Sequence, residues 1–297
     1  MTKSAAPRTC VACGSRPEPS FRLVNGVRLL RCPRCLLGWW DWPAFDPSAF
    51  YDQGYFQGAD DQKGYDDYAA LAEGLRRTAH ARLARIARCL RRSSRRCPPY
   101  GLLELGCGTG VFLQAAREMG WEVHGVEVST YASDQARSRG LDVVTGAVES
   151  LDLPAATYDC IALWDVIEHL RDPAGVLRMA ARALRPGGVL AMSTGDITSL
   201  CARVTGPRWH LFNLPEHLFF FSPASLRRLL AAAGCQVVTQ TREWLWLPAT
   251  YLCERLRKAH GLPAPLAGGL RRAAQALSVR LLPATLLDVI GVYAVRA

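Results

Sequence analysis

The stretch YGLLELGCGTGVFLQAAREMG, residues 100–120, decides how this chain is read. An apolar run ends at Glu104 and Leu105, glycines follow at 106, 108 and 110, and a helical pattern begins near Val111. Strand, glycine turn and helix in that order are the opening of a βαβ unit. The glycines let the backbone turn tightly and let a ligand approach the main chain. The helix N-terminus faces that ligand. Dinucleotide enzymes share this glycine spacing, so the flanking residues discriminate. Glu104 sets a carboxylate just before the turn, where a pyrophosphate is repelled and a cationic amino-acid group is attracted. The next strand, WEVHGVEVS (121–129), ends at Glu127, a carboxylate that can accept two hydrogen bonds from ribose hydroxyls.

Working outward, apolar runs predict strands near 100–105, 122–127, 141–145, 158–164, 188–193, 235–241 and 288–295. Amphipathic patterns predict helices near 110–119, 129–139, 172–184 and 222–233. This alternation predicts an α/β fold, a mainly parallel seven-stranded Rossmann-like sheet with helices on both faces. Ligands then bind beyond the carboxyl ends of the strands.

LLELGCGTG, VHGVEVS, YDCIALWDVIEHL (158–170) and ALRPGGVLAMST (183–194) together resemble the class I S-adenosylmethionine-dependent methyltransferases. More narrowly, the chain is similar to the branch with the ubiquinone-biosynthesis O-methyltransferases. The resemblance covers roughly residues 100–240. It implies that the last strand runs antiparallel and that S-adenosylmethionine is the cofactor. It assigns Glu104, Gly106, Cys107, Gly108 and Gly110 to the methionine part of that cofactor, and Glu127 with Val128 to its ribose. The loop TGAVESLDLP (145–154) has Ala147 where the family often has an acid for the adenine; backbone groups of Ala147 and Val148, or Glu149 or Asp152, can take that place. Trp164, Asp165 and His169 border cofactor and acceptor, although Trp164 and His169 also suit simple packing. ARALRPGGVL reads as a helix, a Pro-Gly-Gly turn and a strand.

Two tight pairs stand at the front of the chain: Cys10 and Cys13, then Cys32 and Cys35. Paired Cys-x2-Cys knuckles supply the four soft tetrahedral ligands of structural zinc. SFRLVNGVRLL (20–30), a hairpin pattern around Asn25-Gly26, brings the second knuckle beside the first. With four protein ligands no open position is left for chemistry. The expected organisation is therefore a zinc-ribbon-like unit at 1–40, an aromatic linker and amphipathic helix at 41–97, and the catalytic domain at 98–297. The linker is rich in tryptophan, tyrosine and aspartate and suits a wrap between the two units. From Arg76 to Arg96 there are nine arginines and no acid, while Leu75, Ala79, Leu83, Ile86 and Leu90 form one stripe. That pattern predicts a helix packed by its apolar stripe with its arginines in solvent.

After the fifth catalytic strand, Trp209, His210, Phe212, His217 and Phe219–Phe221 can line an acceptor pocket. A hydroxyl acceptor profits from a neutral histidine base, with His217 the first candidate, His210 the second and His169 a third. Methyl transfer can also proceed by alignment alone, and a structural role for His217 is then the simpler one. Ser222-Pro223 is a helix start. Residues 242–287 separate the closing strands and read as two basic amphipathic helices. They suit a roof over the acceptor, pairing with a second copy as a homodimer, or contact with a membrane surface.

The chain has 297 residues, 49% of them hydrophobic, a formal net charge of +10 and eleven cysteines, with no long uncharged apolar run. No secretory signal or spanning helix is expected, and the scattered single cysteines suit the reducing cytoplasm. The leading expectation is an enzyme methylating a small-molecule acceptor, oxygen ahead of carbon or nitrogen. An RNA methyltransferase agrees with the charge and the zinc unit, but the acidic linker would repel a phosphate backbone, so a nucleic-acid partner is not favoured. An inert cofactor- or partner-binding protein is opposed by the intact Glu104, glycines and Glu127.

Overall fold

A computed structural model describes residues 6–42, 71–93, 96–248 and 281–297, with Gly269 and Arg272. Strands β1 (Glu18–Val24) and β2 (Val27–Arg31) are antiparallel, with Val24 opposite Val27. Asn25 and Gly26 form the two-residue turn at φ 48° and 77°, the primed geometry that matches strand twist. β3 (Gly38–Trp40) leaves the second knuckle and pairs with β2.

Helix α1 (Ala72–Ser93) buries Ala79, Leu83, Ile86 and Leu90, as its stripe predicts. Arg82 departs from the expected arginine face: it is 7% exposed. Its guanidinium Nε donates to Glu243 Oε2 at 3.0 Å, and its carbon Cζ lies 4.1 Å from the centre of the Trp164 ring. A buried cation needs such partners. Arg76, Arg77 and Arg96 also form ion pairs, with Glu118, Glu73 and Asp159.

The catalytic unit continues with β4 (Gly101–Leu105), α2 (Val111–Glu118), β5 (Glu122–Glu127), α3 (Thr130–Ser138), β6 (Asp142–Thr145) and β7 (Tyr158–Trp164). Next come α4 (Pro173–Ala183), β8 (Leu184–Gly195), α5 (Leu200–Thr205), β9 (Phe219–Phe220), α6 (Pro223–Ala232), β10 (Cys235–Arg242), β11 (Leu245–Pro248), β12 (Leu281–Ala284) and β13 (Val289–Arg296). Seven strands form one sheet in the order β10-β13-β8-β7-β4-β5-β6. β6, β5, β4, β7 and β8 are parallel, and β13 runs antiparallel between β8 and β10.

The strand repeat of two sorts side chains into two layers. Leu102, Cys160, Ala162 and Ala191 pack with α1 and α2 on one face. Leu103, Ile161, Leu163, Leu190 and Met192 pack on the other with α4, α6 and the N-terminal unit. β9 adds Gly38↔Phe220 and Trp39↔Phe219 pairs to β3, giving a sheet β1-β2-β3-β9 that reaches across the chain.

Two local expectations are corrected. The Pro-Gly-Gly turn lies inside β8, which starts at Leu184; between the pairs Tyr158↔Leu184 and Cys160↔Val189 its extra residues bulge out, with Gly187 at φ 76°. The insertion opens with β11 rather than a helix, and β11 pairs antiparallel with β12. That pairing brings Leu245–Pro248 and Leu281–Ala284 together, a contact between distant segments that the local periodicity of 244–261 cannot show. The linker at 43–70 and the interior of the insertion at 249–280, apart from Gly269 and Arg272, lie outside the described residues. No helix among the described residues is long and apolar enough to cross a membrane.

Candidate functional site

The parallel strands end together, and their carboxyl ends open into one cavity. Glu104, Gly106, Cys107, Gly108, Glu127, Val128, Ala147, Val148, Trp164, Asp165 and His169 all line it, with Leu75, Ala79 and Arg82 from α1. Gly110 stands behind, as the residue capping α2. Gly106 has φ 73°, and a Cβ there would meet Val166 Cγ2 at 2.6 Å, so no other residue fits this turn.

Glu127 ties the site together. Its Oε2 accepts from Gly108 N at 2.8 Å and its Oε1 from Ser129 N at 2.8 Å. Burial nevertheless pushes its carboxyl above the usual range. Glu104 is 3% exposed, and its Oε2 has no hydrogen-bond partner among the described residues. Burial drives its pKa well up, opposed by Arg82 and reinforced by Glu127. Asp165 sits at φ 56°, held by a 2.9 Å bond from Ser193 Oγ. Its carboxyl is also raised by burial and opposed by Arg82. Trp164 packs edge-on to Phe112, and its buried Nε1 has no hydrogen-bond partner among the described residues.

The candidate substitutes in the adenine loop part ways. Glu149 lines the cavity but accepts from Arg171 N at 2.5 Å and Asp172 N at 3.2 Å. Asp152 is exposed and pairs with Arg182.

Among the histidines of the described residues, His169 alone lines the cavity. Its Nδ1 is 2.9 Å from the Glu216 carbonyl oxygen. A carbonyl only accepts, so the neutral ring carries its proton on Nδ1. Burial lowers its pKa to about 4. His217 packs edge-on to His169, ring centres 4.7 Å apart, and binds the Leu211 carbonyl. Burial and then His169 hold its pKa well below the usual value. His210 is turned elsewhere: its Nε2 lies 2.8 Å from Asp288 Oδ2, which also accepts from Trp209 Nε1 at 2.7 Å. Trp209, Phe212 and Phe219–Phe221 are buried in the core and do not line the cavity.

Sequence reading missed two residues. Arg82 is the one arginine or lysine lining the cavity among the described residues; its partner Glu243 is distant in the chain, though its place on the buried stripe beside Leu83 was a visible signal. Glu168, beside His169, is 4% exposed, its Oε2 has no hydrogen-bond partner among the described residues, and burial, followed by Asp165, raises it to about 8.

The four cysteines converge. Cys10–Cys35, Cys13–Cys32 and Cys13–Cys35 sulfurs lie 3.4, 3.3 and 3.9 Å apart. A tetrahedron of Zn–S bonds of about 2.3 Å has edges of about 3.8 Å, so the donor set fits that ion. The hydrogen bond with Cys10 draws the Cys35 thiol below its usual range.

A family model described as "Methyltransferase domain" matches residues 71–240. The chain is similar to the ubiquinone biosynthesis O-methyltransferase of Idiomarina loihiensis, 29% identical over 148 residues, covering 46% of this chain and 61% of the relative. That of Thiobacillus denitrificans is 32% identical over 148 residues, covering 46% and 64%. The chain thus spans less than two thirds of the length of these curated relatives. The solved magnesium protoporphyrin IX methyltransferase of Synechocystis shares the fold, with a TM-score of 0.50, 15% identity and coverage of 77% of this chain and 87% of that one. The matched segment is more than half of the chain and carries the glycine turn, Glu127 and the cavity built on them, and the chain belongs to the methyltransferase-domain family.

Proposed function

We propose that the chain transfers a methyl group from S-adenosylmethionine to a small-molecule acceptor, with oxygen the favoured nucleophile. The carrying observation is the meeting of Glu104, the glycine turn, Glu127 and Asp165 in one cavity, with Glu104 Oε2 left without a partner. A buried carboxyl oxygen left without a donor suits a cationic or donor group from a ligand. The cofactor's ammonium and sulfonium supply one, and the unpartnered Trp164 Nε1 suits a ligand acceptor.

When bound, S-adenosylmethionine supplies an electrophilic methyl group whose sulfur leaves as a neutral sulfide. Glu127 already gathers the turn and the loop after β5, a position suited to ribose hydroxyls. Arg82 offers its charge to the anionic end of the ligand. The carboxylates around the cavity favour a sulfonium over a neutral product. His169, neutral above about pH 4, can take the proton that a hydroxyl acceptor loses. The O-methyltransferase names of the relatives support oxygen, and with it the ubiquinone-like branch. We also propose that Cys10, Cys13, Cys32 and Cys35 hold a structural zinc ion.

The test supplies methyl-labelled S-adenosylmethionine with a small-metabolite extract in one arm and ribosomal RNA in the other. Label in the small-metabolite fraction alone is expected. Label in RNA alone would replace this reading with RNA modification.

A further inference from the structure

We propose that Trp40 and the second cysteine knuckle position His169, making the four-cysteine unit the rear support of the acceptor end. This rests on the reading of the cavity given above.

The contacts form an unbroken series. Cys35 O accepts from Ser222 Oγ at 2.5 Å, joining the knuckle to the start of α6. From the same knuckle β3 runs beside β9, pairing Gly38 with Phe220 and Trp39 with Phe219. Trp40 then donates its indole N–H to the His217 carbonyl at 2.9 Å, both groups buried. Trp42 closes the layer against Phe219, ring centres 5.1 Å apart. Residues 216–218 are thereby fixed from behind.

Those three residues in turn grip 168–169. The Glu216 carbonyl accepts from His169 Nδ1, the His217 ring packs edge-on to the His169 ring, and Leu218 N donates to Glu168 O at 2.8 Å. The Glu216 carbonyl selects the Nδ1–H tautomer of His169, so Nε2 is the unprotonated nitrogen. A shift of 216–218 moves that carbonyl and releases both tautomer and ring orientation. The glycine turn and Glu127 belong to β4 and β5, and none of the hydrogen bonds and strand pairs that fix 216–218 from behind is made to those strands. Metal loading of the cysteines should therefore govern the acceptor end and leave cofactor binding alone. Trp40 acts through His217 and Glu216, so it is a positioning residue.

The test uses the full chain, labelled with nitrogen-15. Imidazole signals of His169 and His217 are assigned by their loss in His169→Gln and His217→Gln. Trp40→Phe keeps an aromatic ring and removes the N–H. It should retain its zinc and bind S-adenosylhomocysteine within about twofold of wild type, as expected for separated sites. The His169 ring signals should move toward a mixture of tautomers. Ser222→Ala, which removes the bond to Cys35 O, should move the same signals less, and it decides the matter if Trp40→Phe does not fold. Unmoved His169 signals in a folded variant overturn the proposal. A wild type that binds no S-adenosylhomocysteine overturns the functional reading instead, while the ring signals still decide the positioning.

Discussion

Arg82 stands among Glu104, Asp165 and Glu243, and its charge opposes the rise in pKa that burial imposes on the first two. Removing it takes the 3.0 Å ion pair from Glu243, whose side chain is 3% exposed, and leaves that carboxylate with the longer 3.8 Å pair to Arg85 and the Thr241 hydroxyl. Arg82→Met should therefore cost about 3–5 kcal/mol in denaturant unfolding, the range for breaking a buried pair. Arg82→Met combined with Glu243→Gln should recover part of that loss, because position 243 then carries no charge. Glu168 makes a pH prediction. Its folded pKa of about 8 lies above its ordinary 4.5, so its protonated form stabilises the fold. That contribution is complete below about pH 4.5 and is lost as pH rises through 8. Relative to Glu168→Gln, wild type should lose stability between pH 5 and 8; a constant difference across that interval contradicts the assignment.

At the scale of elements, α6 and β3 do more than complete a layer. Ser222 caps α6: its Oγ accepts from Ser225 N at 3.0 Å, its own N donates to Ser225 Oγ at 2.9 Å as the reciprocal bond of a capping box, and its Oγ donates to Cys35 O. Ser222→Ala should lower stability by about 1–3 kcal/mol, a lost cap plus a buried acceptor left without its donor, measured by thermal unfolding. Most strands and helices were legible in the sequence because their signals are local: the apolar run through Leu102 and Leu103, Ser222-Pro223 before a helix, Asn25-Gly26 inside a hairpin. The Pro186-Gly187-Gly188 segment read as a turn because its partner strand is not visible in the sequence. β9 was not legible at all, since two residues paired with Gly38 and Trp39 carry no periodicity.

Across the whole molecule, the two cysteine pairs and the family motifs sit far apart in sequence and meet through the core shared by Trp39, Trp40, Trp42 and Phe219–Phe221. The residues of the cavity that follow strand ends were readable, because each one stands where a strand stops. The others were less so: His210 turned to Asp288, His217 went behind His169, and Arg82 found Glu243, all by contacts between distant segments. Nine clustered arginines likewise looked like solvent-facing charge until Arg82 folded inward. If zinc is structural, a chelator should lower the melting temperature, and Cys32→Ser should unfold more readily with its metal lost. Wild type should carry one zinc per chain by metal analysis, and a metal-free wild type with unchanged melting contradicts this.

The most direct measurement is titration calorimetry of S-adenosylhomocysteine into wild type and Glu127→Ala. The account predicts saturable one-site binding, weakened by about 10- to 100-fold in the variant, the loss of charge-assisted hydrogen bonds worth about 1.5–3 kcal/mol. No heat of binding in folded wild type, or equal affinity in the two proteins, would contradict it.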